Sequence, residues 1–379
     1  MHRILHFADL HLDTPFISGD RLVALGPSRR IALRATLSRI FTLARESEVD
    51  AVTIAGDLYE QLYVLPKTID FLAYQFAKLS PIRVFIAPGE HDPYTNDSLY
   101  AIARWPENVT IFSSGKVSVV ELAPGLHLWG GACPPARGGQ TLDHIHIDTK
   151  GVNLLLLHAM NAEQSGEDEE HLFTLTASAV QNAGFDFALL GHQHRGQIWP
   201  EATPCCVYPG SPEPLAPDEG DGAHQVVLLT IENDICTPEL IPINQWRYQA
   251  LNVDLSACDS VEQAAKRVQR AQQTLPGGDD EHLICTITLT GTLDFPLDLS
   301  TLAAQVETKS ITHFTPHFSM AYNLKHLAQE QTVRGMLVRR FQKRLANAPH
   351  DKERKALLTA LNLALQALDG KQVQLYEVS

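Results

Sequence analysis

Five short groups of residues carry side chains able to hold metal ions, and each follows an apolar run: Asp9-Leu10-His11, Gly56-Asp57, Gly89-Glu90-His91-Asp92, His158 and Gly191-His192-Gln193-His194. Seven of these carboxylates and imidazoles (Asp9, His11, Asp57, Glu90, His158, His192, His194) are enough for two divalent metals over a phosphate ester, and His91-Asp92 remains as a spare pair. The pattern predicts a two-metal phosphodiesterase.

Taken singly, the groups differ in weight. Asp9-x-His11 puts two donors on one side of an extended chain, because residues i and i+2 of a strand share a face. A surface Asp and His would read the same way. Asp57 ends the run Ala51-Val52-Thr53-Ile54-Ala55-Gly56. A carboxylate there is costly unless it is paired, metal-bound or turned to cap a helix. His158 closes Val152-Asn153-Leu154-Leu155-Leu156-Leu157, where a lone histidine is ordinarily a satisfied core residue. In Gly191-His192-Gln193-His194 the glycine frees the backbone, and the two imidazoles at i and i+2 can each meet a different metal. All five in this order have no competing account.

The elements that must carry them alternate. Ile4–Ala8, Ala51–Ala55 and Arg83–Ala87 read as strands, with helices near Ser28–Glu46 and Pro66–Leu79 between them. Such alternation gives parallel βαβ units whose ligands collect at the carboxyl ends of the strands. Closely spaced strands follow at Val109–Phe112, Val117–Glu121, Leu126–Gly130, Val152–Leu157, Phe187–Leu190, Cys206–Tyr208 and Gln225–Ile231. The expected fold class is therefore α/β, with two packed β-sheets flanked by helices over residues 1–240. After a break around Pro238–Asn244, a strand (Tyr248–Leu255), a helix (Ser260–Leu275) and a strand (His282–Thr290) predict a small α+β domain over 245–320. Residues 321–379 are helical in pattern: Val333, Met336, Leu337, Phe341 and Leu345 share one face, as do Leu357, Leu361, Leu365 and Leu368.

A chain of 379 residues, 44% hydrophobic and 20% charged, fits two or three globular domains and excludes disordered or collagen-like classes. No apolar stretch approaches a membrane span, and the first candidate ligand at Asp9 leaves no room for a cleavable signal peptide, so a cytoplasmic protein is expected. The six cysteines show no CxxC spacing and read as reduced, buried residues. A net charge of −14 argues against unaided coating of nucleic acid. The charge is uneven, however: residues 321–379 hold ten Lys/Arg against five Asp/Glu, a balance of +5 that leaves −19 on the rest. Arg334, Arg339, Arg340, Lys343 and Arg344 either line a DNA or partner surface or form the solvated face of a capping helix.

The set D-x-H, G-D, G-E-H-D, H and G-H-x-H resembles that of the calcineurin-like metallophosphoesterases. Asp9-Leu10-His11-Leu12-Asp13, Gly56-Asp57-Leu58-Tyr59 and Tyr208-Pro209-Gly210-Ser211-Pro212 are most similar to the SbcD-like DNA-repair nucleases, and among these to the YhaO type. The resemblance covers about residues 1–235. It implies one metal on Asp9, His11, Asp57 and His194, a second on Asp57, Glu90, His158 and His192, and Asp57 as the bridge. His91 would donate to the phosphate or the departing oxygen, oriented by Asp92. Manganese suits such mixed ligation, with iron or zinc as alternatives. The resemblance further implies DNA as substrate, cut as an exonuclease or endonuclease, and an SMC-type coiled-coil ATPase (SbcC-like) as partner, bound through the C-terminal helices; a homodimer is compatible with it. Two positions depart from the family pattern: Glu90 stands where Asn is usual, and Glu60 where nucleases of the group often carry a histidine. A small-nucleotide phosphodiesterase and a weakly catalytic scaffold for the ATPase are the competing readings.

Overall fold

The apolar runs that end in candidate ligands are strands, and most are buried on both faces. A computed structural model describes residues 1–16, 23–133, 142, 145–163, 173–219, 222–293, 295–320, 322 and 324–368. Its first compact unit, Met1–Tyr248, contains β1 (His2–Phe7), β2 (Ala51–Ile54), β3 (Arg83–Ile86), β4 (Val109–Ile111), β5 (Ser118–Ala123), β6 (Leu126–Gly130), β7 (Val152–Asn161), β8 (Phe173–Leu175), β9 (Phe187–Gly191), β10 (Gln197–Trp199), β11 (Cys206–Tyr208), β12 (Gln225–Glu232) and β13 (Ile235–Pro242). Among the described residues these form a six-stranded sheet in the order β13-β12-β1-β2-β3-β4 and a seven-stranded sheet in the order β10-β11-β9-β7-β6-β5, with β8 beside β7. β1 to β4 run parallel, as do β6, β7, β9 and β11, so their carboxyl ends gather at one edge of each sheet.

The two sheets face each other across Ile4, Phe85, Val227 and Leu229 of one and Leu128, Leu154, Leu156, Phe187 and Leu189 of the other. Helices α1 (Gly26–Glu46) and α2 (Pro66–Leu79) cover the outer face of the first sheet. A short turn, α3 (Leu99–Ile102), and α4 (Ala177–Asn182) follow, and α4 covers the second sheet. This is the expected class of two packed sheets flanked by helices. In β7, Leu154 and Leu156 enter the inter-sheet core while Leu155 and Leu157 enter the outer one, which is why that strand reads as an unbroken apolar run. Each such leucine contributes about 1.5–3 kcal/mol of burial, so the register that carries His158 is firmly set.

Two boundaries differ from the sequence expectation. β7 continues past His158 to Asn161, so the histidine sits within a strand and faces Gly191 of β9 in register. At the other end, Pro238 and Pro242 fall inside β13. Both prolines are tolerated because β13 is the edge of its sheet, where a missing N–H leaves no partner wanting. The chain divides into its compact units after Tyr248.

The second unit, Gln249–Ser379, takes up the strand β14 (Arg247–Asp254) and adds α5 (Val261–Gln273), β15 (Leu283–Thr290), β16 (Thr292–Leu293), α6 (Leu299–Gln305), β17 (Ile311–Pro316), β18 (Ser319–Met320), α7 (Leu324–Leu327), α8 (Val333–Ala346) and α9 (Asp351–Leu368). Ser260 caps α5, whose Ala264, Ala265 and Val268 pack on Leu283, Cys285, Ile287 and Leu289 of β15. In the helical segment Leu361 and Leu365 are buried with Val338 and Leu327. The expected face of α8 holds in part: Leu337 and Phe341 pack against this cluster beside the buried Val338, whereas Val333 and Met336, in the first turn, are exposed. Two of the five cations turn inward, Arg339 donating to the Ala328 and Glu330 carbonyls and Arg334 to the Glu330 carboxylate. Residues 321 and 323 and those beyond Leu368 of the expected helical segment lie outside the described residues.

Candidate metal centre

At the carboxyl edge of both sheets, the chain leaves each strand by a loop that is stitched to the next. Asp9 N donates to the Gly56 carbonyl, His11 N to that of Asp57 and Leu12 N to that of Leu58, so the loops after β1 and β2 run side by side. Asp9, His11, Asp13 and Asp57 take left-handed φ values of 54°, 48°, 66° and 51°, and His192 has φ 107°. Left-handed backbone is uncommon for side-chain-bearing residues, though Asp and His adopt it more readily than most. Gly191 permits the closest approach: a Cβ there would lie 1.9 Å from the Ala55 carbonyl oxygen, so only glycine lets the ends of β9 and β2 meet.

This packing brings together all seven expected ligands. Four groups have donor atoms within 4.8 Å of one another: Asp9, His11 and His194; Glu90, His158 and His192; Asp9, Asp57 and His158; and His11, Asp57 and His91. Asp57 links them, its Oδ2 lying 3.7 Å from His11 Nε2 and 3.5 Å from His158 Nε2. Both nitrogens are buried and lack a hydrogen-bond partner. His158 Nδ1 donates to the Ala55 carbonyl (2.9 Å), and the Nδ1 atoms of His11 and His194 bond the carboxylates of Glu60 (2.7 Å) and Glu219 (2.8 Å). That arrangement presents Nε2 of His11 and His158 as lone pairs toward Asp57, as in histidine ligands held from behind by an acceptor. Orphaned buried nitrogens are costly unless something binds them, so the donor set fits a pair of divalent cations.

The electrostatics point the same way. Burial, then the neighbouring Asp57 charge, pushes the Asp9 carboxyl well above the usual range. Burial acts on Asp57 too, but His158, His11 and His91 outweigh it and hold that carboxyl low. Burial lowers His158 against the opposing pull of the Asp57 charge, which favours the neutral, ligating form of the imidazole. Glu90 is held low by its bond with His192, whose Nδ1 lies 3.5 Å from Oε1. The centre opens into a cavity of about 400 Å³ lined by Asp57, Glu90, His91, His192, His194 and Arg195, among others.

His91 stands at the mouth with its ring centroid 4.9 Å from that of His11. The expected orientation of this ring by Asp92 is corrected by the structure. His91 Nδ1 bonds Glu60 Oε2 at 3.0 Å, and that bond is the largest cause raising its pKa to about 9. Asp92 points the other way, fully buried, and accepts from the N–H groups of Asp57 (2.9 Å), Leu58 (2.8 Å) and Gly89 (2.6 Å) and from the Tyr100 hydroxyl (2.6 Å). Three unpaired loop amides claim its oxygens more strongly than one exposed imidazole can. Asp92 therefore holds the metal-site loops together and does not touch a reacting atom.

The supporting roles of Glu60, marked in the sequence only as a departure from a family histidine, and of Glu219 escaped sequence reasoning because an acidic residue in a loop does not show which side chain it will meet. Glu219 was signalled only indirectly by the segment Tyr208-Pro209-Gly210-Ser211-Pro212. Ser211 N donates to the His194 carbonyl and its hydroxyl bonds Glu219 Oε2, so this segment fixes the support of His194.

The sequence of residues 2–196 matches the calcineurin-like phosphoesterase family. Among related chains, the metallophosphoesterase YhaO of Bacillus subtilis (strain 168) is 28% identical over 236 residues, covering 60% of this chain and 57% of YhaO. The chain thus spans less than two thirds of that relative. The DNA double-strand break repair protein Mre11 of Aeropyrum pernix is 25% identical over 288 residues, covering 70% of this chain and 67% of Mre11. A dimetal phosphatase from Danio rerio covers 64% of this chain and 96% of its own at 12% identity and a TM-score of 0.41. With the donor set assembled at the strand ends and more than half its length matched, the chain belongs to the calcineurin-like phosphoesterases, a family of metal-dependent phosphoester hydrolases with dinuclear centres.

Proposed function

We propose that the chain is a manganese-dependent phosphodiesterase acting on DNA, the nuclease subunit of a DNA-repair assembly. The observation that carries the reading is the pair of buried, unpartnered Nε2 atoms of His11 and His158 on either side of the Asp57 carboxylate. Asp9, His11, Asp57 and His194 would hold one ion, and Asp57, Glu90, His158 and His192 the other. When bound, the ions supply Lewis-acid polarisation of the phosphodiester and of the attacking water. His91, half-exposed and favouring the protonated form, supplies a hydrogen bond or proton to the leaving oxygen. Asp92 keeps the loops after β2 and β3 at their separation.

DNA as substrate is supported by the likeness to Mre11, which reaches past residue 196, and by a catalytic histidine that stands at the surface, within reach of a polymer. The acidic composition suits a subunit that borrows its hold on DNA from a partner, for which we propose an SMC-type coiled-coil ATPase bound through α8 and α9, with a homodimer as the further assembly. The test is hydrolysis of bis-p-nitrophenyl phosphate and of single- and double-stranded DNA with manganese, with iron or zinc, and after chelation. Cleavage of both substrate types, lost on chelation and restored best by manganese, is expected. Cleavage of the small diester alone would favour a small-nucleotide phosphodiesterase, and no cleavage of either would favour a scaffold.

A further inference from the structure

The loop after β2 is tied to two other loops at the adjacent residues Glu60 and Gln61. Glu60 N donates to the Leu12 carbonyl (2.9 Å), next to His11, and Gln61 N donates to the carbonyl of His91 (3.0 Å). The Glu60 carbonyl in turn accepts from Tyr63 and Val64 (3.0 and 2.8 Å), closing the loop on itself. The side chain repeats the pattern of its backbone: Oε1 takes His11 Nδ1 at 2.7 Å and Oε2 takes His91 Nδ1 at 3.0 Å. The carboxylate is only 13% exposed, so neither bond competes freely with water.

An isolated imidazole has two tautomers of similar energy, and the acceptor on one nitrogen decides which lone pair remains. For His158 that acceptor is a carbonyl and for His194 it is Glu219, each serving one histidine ring. Glu60 alone among these acceptors serves a candidate ligand and the candidate proton donor together. We propose that Glu60 is a positioning residue that presets the His11 tautomer with Nε2 facing Asp57 and, through its second oxygen, fixes the His91 ring over the same centre. It acts through these two histidines and not on the substrate. The inference rests on the two-metal reading above.

The test compares wild type with Glu60→Gln, which is isosteric and retains one acceptor oxygen, and Glu60→Ala, both checked for folding by circular dichroism. In metal-free protein, ¹⁵N NMR of the histidine rings should show His11 protonated at Nδ1 in wild type and mixed tautomers in Glu60→Ala, with Glu60→Gln between. Manganese titration should show affinity at one of two sites weakened about 10–100-fold in Glu60→Ala, the usual effect of removing the acceptor behind a ligand, and a smaller loss in Glu60→Gln. At saturating manganese, kcat on bis-p-nitrophenyl phosphate should fall with KM unchanged, and Glu60→Ala should add nothing to His91→Ala. Unchanged tautomer and metal affinity in Glu60→Ala would overturn the proposal, as would rate losses that multiply in the double variant. A wild type that takes up no manganese would instead remove the metal reading, and the tautomer measurement would still judge Glu60.

Discussion

Replacing Asp92 by asparagine separates a residue that orients a proton donor from one that holds a fold. The carboxylate accepts four hydrogen bonds in a fully buried position, two on each oxygen: Asp57 N and Gly89 N on Oδ1, Leu58 N and Tyr100 O–H on Oδ2. An asparagine has one acceptor oxygen. With that oxygen at the Oδ1 position, its NH₂ meets the Leu58 N–H donor to donor; the Tyr100 hydroxyl can rotate to accept, but the Leu58 amide cannot. Turning the amide over leaves the Asp57 and Gly89 amides unsatisfied instead. Burial, then the Asp57 charge, raises the Asp92 carboxyl to about 7, so at pH 8, where it is ionised, each buried donor left without a partner costs about 1–3 kcal/mol, the loss of a charge-assisted acceptor adds to it, and Asp92→Asn should lose about 2–5 kcal/mol. For a unit of this size that lowers Tm by roughly 2–4 °C per kcal/mol, on the order of 10 °C in all. Urea and thermal unfolding of metal-free protein, followed by circular dichroism, measure it. Stability within ~0.5 kcal/mol of wild type, together with a rate loss matching that of His91→Ala, would refute the reasoning and return Asp92 to the role of orienting His91.

Asp57→Asn should lose both metal ions and hydrolysis, since this carboxylate faces both His11 and His158; two ions bound with wild-type affinity would reject the bridge. Glu90→Asn removes one negative charge beside His158 and His192 and should weaken metal affinity while turnover at saturating manganese stays level or rises, read from parallel titrations and diesterase kinetics. His6, buried between the Thr53 hydroxyl and the Leu190 carbonyl, has its pKa lowered to about 4, with burial the leading cause. Above pH 6.5 both folded and unfolded forms are neutral there and nothing is lost; between 6.5 and 4 only the unfolded chain takes the proton, so about 3 kcal/mol of stability should drain away as pH falls. Urea unfolding of metal-free wild type and His6→Gln at pH 7.5 and 4.5 should show that part of the pH dependence missing in the variant.

The candidate ligands were legible because parallel strands deliver their carboxyl ends to one edge, and because Asp9, Asp57 and His192, each open to another use when taken singly, all follow apolar runs in the same chain. Which atom backs each of them was not legible. Glu219 reaches His194 across 25 residues, and Glu60 reaches His91 across 31. Neither separation follows a helical or strand period, so only the folded chain reveals the pairing. Asp92 was misread for a related reason: adjacency to His91 suggested a pair, whereas successive residues in a loop turn to different sides and its oxygens went to the nearest unpaired amides. The prolines of β13 suggested a break because an edge strand and a linker look alike in sequence.

The left-handed backbone at the candidate ligands Asp9, His11 and Asp57 has a consequence for how this chain can change over time. Each such residue holds a conformation that costs of order 1 kcal/mol or more, and together they set aside several kcal/mol of a domain stability that seldom exceeds 15. Glycine at any of them would relieve that burden in the metal-free chain, so selection for robustness alone would erode the donors one at a time. A bound cation reverses the preference, because it stabilises only the folded form that keeps them. The set of donors is therefore self-policing: so long as metal is present during folding, a lineage that drifts toward easier backbone loses stability as well as chemistry.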